Sequence, residues 1–151
     1  MTIKISLIEQ MSQNTQAKME KGLEKYELSH GIHVDFTPFA FELYNENGDV
    51  IGVLDAFSSY SSIHIKDLWI DEAHRGKGYG KQLISRLEHY CKDKGFNNIN
   101  TVSCAFQAPD FYKKCGFQVK FVRKNLDNPK LTVTGFVKFF DGSSKKLTGY
   151  D

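Results

Sequence analysis

Cysteine is scarce in this sequence, and its positions exclude two classes of small protein. The chain has only Cys91, Cys104 and Cys115, an odd number with no C-x-x-C pair. A disulfide framework needs paired cysteines and a zinc site needs clustered ligands, so neither is expected. The histidines also lie at no metal-like spacing, and we predict no metal. This cysteine usage favours a reducing, cytoplasmic environment.

An excess of one charge and a long apolar run are also missing. Twenty Lys and Arg face 18 Asp and Glu, a net charge of +2, which is too small for the one-sided basic field of a nonspecific nucleic-acid binder. No apolar run approaches the roughly 18 residues of a membrane-spanning helix. Residues 1–8 alternate apolar and polar side chains, unlike a signal peptide, and predict a first strand. We therefore expect neither nucleic acid nor membrane as a partner.

What is present indicates one folded domain of mixed α and β structure. The 151 residues are 40% hydrophobic and 25% charged, values typical of a single globular unit. Apolar periodicity and turn residues predict helices at 12–30, 78–94 and 109–115. The same signals predict strands at 37–44, 50–57, 63–70, 98–104, 117–121 and 131–140. Gly22 weakens the first helix, and residues 141–151 form a polar tail.

The strand at 63–70 changes its alternation partway along. Ile63 and Ile65 start the apolar phase, which then moves to Leu68 and Ile70. A slip of one residue would turn the later side chains to the wrong face unless an extra residue is absorbed. We therefore predict a β-bulge near residues 66 and 67.

A glycine-rich loop joins this strand to the helix at 78–94. Residues 75–80 read RGKGYG, so the amides at the start of the helix are uncovered and two cations stand beside them. Such a loop suits an anion, although a plain glycine turn is an equally open interpretation. Two common phosphate motifs do not fit, because G-x-x-x-x-G-K-[ST] is absent and Leu83 stands where a Rossmann loop needs its third glycine.

These residues resemble the signature of the GNAT superfamily of N-acetyltransferases. RGKGYG matches its R/Q-x-x-G-x-G/A motif, LWIDEAH at 68–74 resembles the preceding strand, and FYKKCGF at 111–117 resembles a second motif. The similarity covers residues 39–122, and FQAP at 106–109 is similar to a subset of bacterial members with unassigned substrates. The resemblance implies a mixed, mostly antiparallel sheet flanked by helices, with the strands at 63–70 and 98–104 splayed apart.

The resemblance also implies a division of the chain and a site for acetyl-CoA. Residues 1–36 would form the acceptor side of a single domain, residues 37–122 the cofactor-binding core, and residues 131–140 a late strand. The loop amides would hold the pyrophosphate, and the preceding strand would pair with the pantetheine amides. The expected cofactor-binding residues are Leu68, Trp69, Ile70, Arg75, Gly76, Lys77, Gly78, Tyr79, Gly80, Lys81 and Gln107.

Tyr112 matches the tyrosine of the second motif, which implies a general acid for the departing thiolate. The alternative is that its ring packs in the core like Phe111. The general base stays open, because Asn100 stands where some relatives place a glutamate. Candidate proton relays are His64, Asp67 and Glu72.

The reaction implied by the family is direct acetyl transfer from acetyl-CoA to a primary amine in a ternary complex. The amine is unassigned, and it is either a small molecule or a protein amino group. An aromatic acceptor pocket and core packing are both open roles for Phe36, Phe39, Tyr60 and Trp69. The main alternative function is a non-catalytic acyl-CoA sensor, and a less favoured one is a nucleic-acid binder that uses the basic loop. The sequence pattern is also compatible with a homodimer.

Overall fold

The computed structural model describes residues 2–140 of the chain. The predicted polar tail at 141–151 lies outside them. Within the described residues there are six strands, three α-helices and two short 3-10 helices. The helices are α1 (Gln13–Ser29), α2 (Tyr79–Cys91) and α3 (Pro109–Lys114), and the 3-10 helices are Glu72–His74 and Pro129–Leu131. The strands are β1 (Phe36–Tyr44), β2 (Val50–Ser59), β3 (Ser62–Ile70), β4 (Asn98–Cys104), β5 (Gln118–Arg123) and β6 (Val133–Phe139).

The chain divides into two compact units at Asp35 and Phe36. The first unit contains α1, which begins at the N-cap Ser12, whose hydroxyl accepts a hydrogen bond from the Thr15 amide at 3.2 Å. Gly22 does not interrupt this helix. The predicted first strand at residues 1–8 is wrong, because residues 2–8 form neither strand nor helix. Alternation of apolar and polar residues does not by itself produce a strand, because a strand also needs a hydrogen-bonded neighbour.

The second unit is built on a six-stranded sheet in the order β1-β2-β3-β4-β6-β5. Four of the neighbouring pairs are antiparallel, and β3 with β4 is the parallel pair. The predicted mixed, mostly antiparallel fold is therefore confirmed. The parallel pair is joined through α2, as a parallel connection requires.

Helix α2 packs its apolar stripe on one face of this sheet. Leu83, Ile84, Leu87 and Cys91 are buried on the helix, in one cluster with sheet residues such as Leu54, Ile63, Ile99 and Phe136. Each buried Leu or Ile side chain contributes roughly 1.5–3 kcal/mol. This packing fixes the amino terminus of α2 close to the end of β3.

The bulge predicted in β3 is present. Asp55 of β2 pairs with Asp67 and the next residue, Ala56, pairs with Ile65, so Lys66 is the extra residue. The insertion restores the phase, because Leu68 then lies opposite Leu54 as Ile65 lies opposite Ala56. Both apolar side chains consequently share the face that packs against α2.

Candidate active site

A gap opens between β3 and β4 after three residue pairs. Ser62, Ile63 and His64 pair with Asn98, Ile99 and Asn100, and the pairing of the two strands stops there. From Ile65 onward, β3 has no backbone pairing on the side of β4 within residues 2–140, which agrees with the expected splay. One side chain bridges the strands at this point, because the Thr101 hydroxyl donates to the Ile65 carbonyl at 3.3 Å. The gap encloses about 110 Å³ and is lined by Lys66, Asp67, Leu68, Thr101, Val102, Ser103, Gln107, Ala108 and Tyr112.

Tyr112 of α3 lines this gap and also belongs to the hydrophobic core. The side chain is 7% exposed, and its ring lies 5.5 Å from that of Phe117 and 5.6 Å from that of Phe136. Burial raises the pKa of the phenol, the Thr101 hydroxyl beside it opposes that rise, and the charge of Asp67 adds to it. The two roles left open by the sequence are therefore compatible, and the phenol is protonated at neutral pH.

The glycine loop after β3 leaves the amino terminus of α2 open. Gly76 and Gly78 have φ angles of +77° and +83°, in the left-handed region that side chains other than glycine rarely adopt. Gly78 is the N-cap, no side chain caps the helix, and the first turn carries no acidic residue. The first amides of α2 are thus free to donate to an anion.

These amides face a cavity of about 510 Å³. Its lining is basic and partly apolar, and it consists of Ile70, His74, Arg75, Gly76, Gly78, Tyr79, Gly80, Lys81, Phe111, Lys114 and Cys115. Arg75 is held in place because its Nε donates to the Ile70 carbonyl at 2.9 Å. His74 is oriented by Asp71, whose Oδ2 lies 3.0 Å from the imidazole Nδ1. The cavity therefore combines helix amides with fixed positive charge.

Gly80 brings α3 against the start of α2. A Cβ atom at this glycine would lie 3.1 Å from the ring of Phe111, closer than ordinary van der Waals contact. Phe111 is the neighbour of Tyr112 in sequence, and the two rings meet edge to face at 5.2 Å. The glycine loop and Tyr112 are consequently connected through the contact between Gly80 of α2 and Phe111 of α3.

The structure distributes the predicted cofactor-binding residues over these two spaces. The 510 Å³ cavity is lined by Ile70, Arg75, Gly76, Gly78, Tyr79, Gly80 and Lys81, and the gap is lined by Leu68 and Gln107. Lys77 and Trp69 line neither space. The Gln107 side-chain carbonyl is already occupied, since it accepts a hydrogen bond from the Cys104 amide at 2.7 Å.

The three candidate proton relays lie in different surroundings. Asp67 lines the gap together with Tyr112. His64 lies at the last position where β3 pairs with β4. Burial and the nearby charge of Lys120 lower the pKa of its imidazole. Glu72 lies on the 3-10 helix and lines neither the gap nor the larger cavity.

Several site residues were missed by the sequence reasoning. Phe111 and Lys114 line the larger cavity, and Thr101 flanks the phenol. The spacing of Phe111 and Lys114, three residues apart on α3, puts both on one helix face and was the available signal. No local pattern distinguished Thr101 from any other strand residue.

Of the four aromatic residues considered for an acceptor pocket, Tyr60 lies in the turn between β2 and β3 and is 44% exposed, and the other three separate by face of the sheet. Phe39 packs against Tyr90 of α2, with 5.3 Å between ring centroids. Phe36 lies beside Phe57 at 5.0 Å, and Trp69 is 45% exposed. Since Trp69 alternates with Leu68 on β3, it lies on the face opposite α2. Phe39 is therefore a packing residue, whereas Phe36 and Trp69 remain accessible.

Between residues 2 and 140, no three His, Cys, Asp or Glu side chains are grouped so as to hold a metal ion. No helix in that range has the length and apolar character needed to cross a bilayer.

The sequence and the fold are both similar to known acetyltransferases. The acetyltransferase (GNAT) family matches residues 8–117. The blasticidin-S acetyltransferase of Streptomyces morookaense is 32% identical over 75 residues, which are 49% of this chain and 55% of that protein. The chain thus spans about half the length of this relative.

Solved acetyltransferase structures are similar to this chain over a larger share of its length. The crystal structure of an acetyltransferase from Bacillus cereus has 30% identity and a TM-score of 0.71, covering 89% of this chain and 97% of that one. A proposed streptothricin acetyltransferase from Bacillus anthracis, solved in complex with acetyl coenzyme A, is similar in fold. It has a TM-score of 0.61 and 21% identity, covering 70% of this chain and 64% of that one.

Proposed function

Because this chain belongs to the GNAT family of acetyltransferases, we propose that it transfers an acetyl group from acetyl-CoA directly to a primary amine in a ternary complex. One observation carries the proposal. The gap between β3 and β4, bordered by the Tyr112 phenol, lies beside a basic cavity at the open amino terminus of α2. A diphosphate and a thioester joined by an extended linker fit such a pair of adjoining spaces.

The chain offers distinct partners for the two ends of acetyl-CoA. We assign the pyrophosphate to the amides of residues 76–81, with Arg75, Lys81 and Lys114 as the surrounding cations. The free edge of β3 from Leu68 to Ile70 suits the amides of pantetheine, which would add to the sheet as a strand does. The glycines keep the backbone within reach of phosphate oxygens. Lys77 and Trp69 stay in the proposal as residues flanking the loop and the strand.

Tyr112 is proposed as the acid that protonates the leaving group. When an amine attacks the thioester carbonyl, the carbon–sulfur bond breaks and the departing thiolate needs a proton. The raised pKa of the Tyr112 phenol keeps its proton available at neutral pH. Its position at the gap supports this role, since the ring is held on three sides by aromatic neighbours.

The acceptor amine must lose a proton before or during attack. An alkylamine with a pKa of about 10.4 requires roughly 4–5 kcal/mol to become neutral at pH 7. Asp67 lines the gap and is the proposed starting point of a water relay that accepts this proton. The amine itself is left open here between a small molecule and a protein amino group.

Calorimetric titration with acetyl-CoA, followed by thiol release on a panel of amines, tests the proposal. We expect binding, release of free CoA that depends on the amine, and an acetylated product by mass spectrometry. Binding without turnover of any amine would favour the acyl-CoA sensor instead. Absence of binding would reject both functions.

The Tyr112→Phe variant tests the proposed acid. We expect kcat to fall by about 10²–10⁴-fold, the range typical of general acid catalysis, because the thiolate loses its proton donor. The acetyl-CoA affinity should be unchanged, since the ring and its packing are retained. Full activity in this variant would remove Tyr112 from the mechanism.

A further inference from the structure

A lysine without a carboxylate partner lies on the sheet face opposite α2. Lys120 of β5 is half-buried, and burial lowers the pKa of its ammonium group. Its Nζ donates to Asn100 Oδ1 at 2.9 Å. Within residues 2–140, none of the ion pairs includes Lys120. A half-buried ammonium group whose hydrogen-bond partner is a neutral amide is a suitable binding group for an anion.

The position of Lys120 results from an irregularity in β5. Val119 pairs with Phe136 of β6, and Phe121 pairs with the adjacent residue of that antiparallel strand, Gly135. Lys120 is therefore the extra residue of a β-bulge. A bulge redirects the side chain of the inserted residue. Two strand spacings separate β5 from β4, roughly 10 Å, and the extended lysine side chain spans β6 to reach Asn100.

Asn100 and His64 complete a polar cluster around the ammonium group. These two residues lie opposite each other at the last pair of β3 and β4. The Asn100 amide group donates to Asn98 Oδ1 and to the Ile63 carbonyl, at 3.4 Å for the latter. His64 stacks on Phe57 with 4.9 Å between ring centroids, and the charge of Lys120 contributes to its lowered pKa. The imidazole is thus uncharged at neutral pH, and its N–H is a further donor.

The cluster lies at the point where the two strands separate. Pairing ends at His64 and Asn100, and the gap begins with Lys66 on one strand and Thr101 on the other. Two residues along a strand are roughly 7 Å, which is the separation along the sheet between the cluster and the middle of the gap. The Thr101 hydroxyl bridges to the Ile65 carbonyl beside the cluster, and the strands are unpaired beyond that bond. The gap beyond it is therefore the space nearest to a molecule bound on the Lys120 face.

We propose that Lys120, supported by Asn100 and His64, binds the acidic group of the acceptor, which is therefore a primary amine that also carries a carboxylate or a phosphate about 7 Å from its nitrogen. This inference rests on the proposed acetyl transfer, because it assigns the second substrate of that reaction. The ammonium group and the neutral imidazole would share the anion, and the amine would enter the gap beside Tyr112.

The test compares acceptors that differ only in their acidic group. Glucosamine 6-phosphate against glucosamine reports on phosphate, and 5-aminopentanoate against pentylamine reports on carboxylate. Binding of each is measured by calorimetry to the protein saturated with CoA, and kcat and KM are measured with acetyl-CoA. We expect at least one acceptor with an acidic group to bind about tenfold or more tightly than the matched amine that lacks this group. The favoured pair identifies the acidic group.

Lys120→Met should remove that preference by weakening the binding of the acceptors that carry an acidic group. The loss should appear mainly in KM, and Lys120→Arg should retain most of the preference. Lys124→Met, one residue after the end of β5, is the matched control. Equal binding of both members of both pairs by the wild-type protein would overturn the proposal. A preference that survives in Lys120→Met would overturn it as well. Failure of the acetyl transfer itself is separable, because it appears as anion-selective binding without turnover.

Discussion

Burial determines the chemistry of Cys91. This residue is completely buried at the end of α2, and burial raises the pKa of its thiol to about 11, although the charge of Lys94 opposes the rise. A thiolate is the reactive form of cysteine, so Cys91 is inert at neutral pH. Its role is therefore in packing, in agreement with its place in the core cluster.

The raised pKa of Cys91 predicts a loss of stability in alkaline solution. The reference thiol pKa is 9.0 and the folded value is about 11, so the unfolded chain releases its proton first as the pH rises. The free energy of unfolding is therefore undiminished below pH 9 and falls between pH 9 and 11. This thiol alone would remove about 2–3 kcal/mol over the two units.

Urea unfolding of the wild type and of Cys91→Ala at several pH values checks this prediction. The variant lacks the side chain at every pH, and the difference in unfolding free energy between the two proteins should shrink from pH 8.5 to 11. Tyr112 also has a raised pKa and acts in the same direction, but its contribution is common to both proteins. A difference independent of pH would show that the thiol does not contribute.

At the scale of elements, the contact of α2 with α3 connects the cavity proposed for the cofactor to the proposed acid, Tyr112. Gly80 lies in the first turn of α2, and its hydrogen atom faces the Phe111 ring. Replacing Gly80 by alanine would force that ring to move by a few tenths of an ångström, because 3.1 Å is too short for two carbon atoms in contact. The displaced ring lines the cavity, and Tyr112 follows it in the chain.

We predict that Gly80→Ala weakens acetyl-CoA binding by about tenfold, since overpacking costs about 1–3 kcal/mol and acts on the cavity wall. Gly22→Ala is the matched control, because its Cβ would meet no atom within 4 Å. That change should increase the helicity of α1, with a gain of about 0.5–1 kcal/mol. Calorimetry and circular dichroism measure the two effects. Unchanged acetyl-CoA affinity in Gly80→Ala would contradict the proposed role of the contact.

Elements with strong local signals were the ones that the sequence predicted correctly. The bulge at Lys66 follows from a phase change in alternating residues, and α3 begins at the predicted Pro109. Residues 2–8 have the same alternation yet form no strand, because pairing depends on distant residues. For the same reason no local pattern placed β6 between β4 and β5, or brought Lys120 to Asn100.

Over the whole molecule, the small net charge of +2 conceals an uneven distribution. Arg75, Lys81 and Lys114 line the larger cavity, and no carboxylate of the described residues lines it. Such a concentration of positive charge attracts a polyanion from several ångströms away. Acetyl-CoA carries its negative charge on phosphates at one end, whereas its thioester end is neutral.

This charge distribution predicts that salt weakens the binding of the acetyl-CoA phosphates and leaves the binding of its thioester arm unchanged. The screening length is about 10 Å at 0.1 M salt and about 3 Å at 1 M, so the Kd of acetyl-CoA should rise several-fold between 50 mM and 500 mM NaCl. Acetyl-pantetheine has the same thioester arm without the phosphates, and its weaker binding should be insensitive to salt. Lys114→Gln should reduce the salt dependence for acetyl-CoA. A Kd that is constant for acetyl-CoA, or equally variable for both compounds, would place the phosphates outside this cavity.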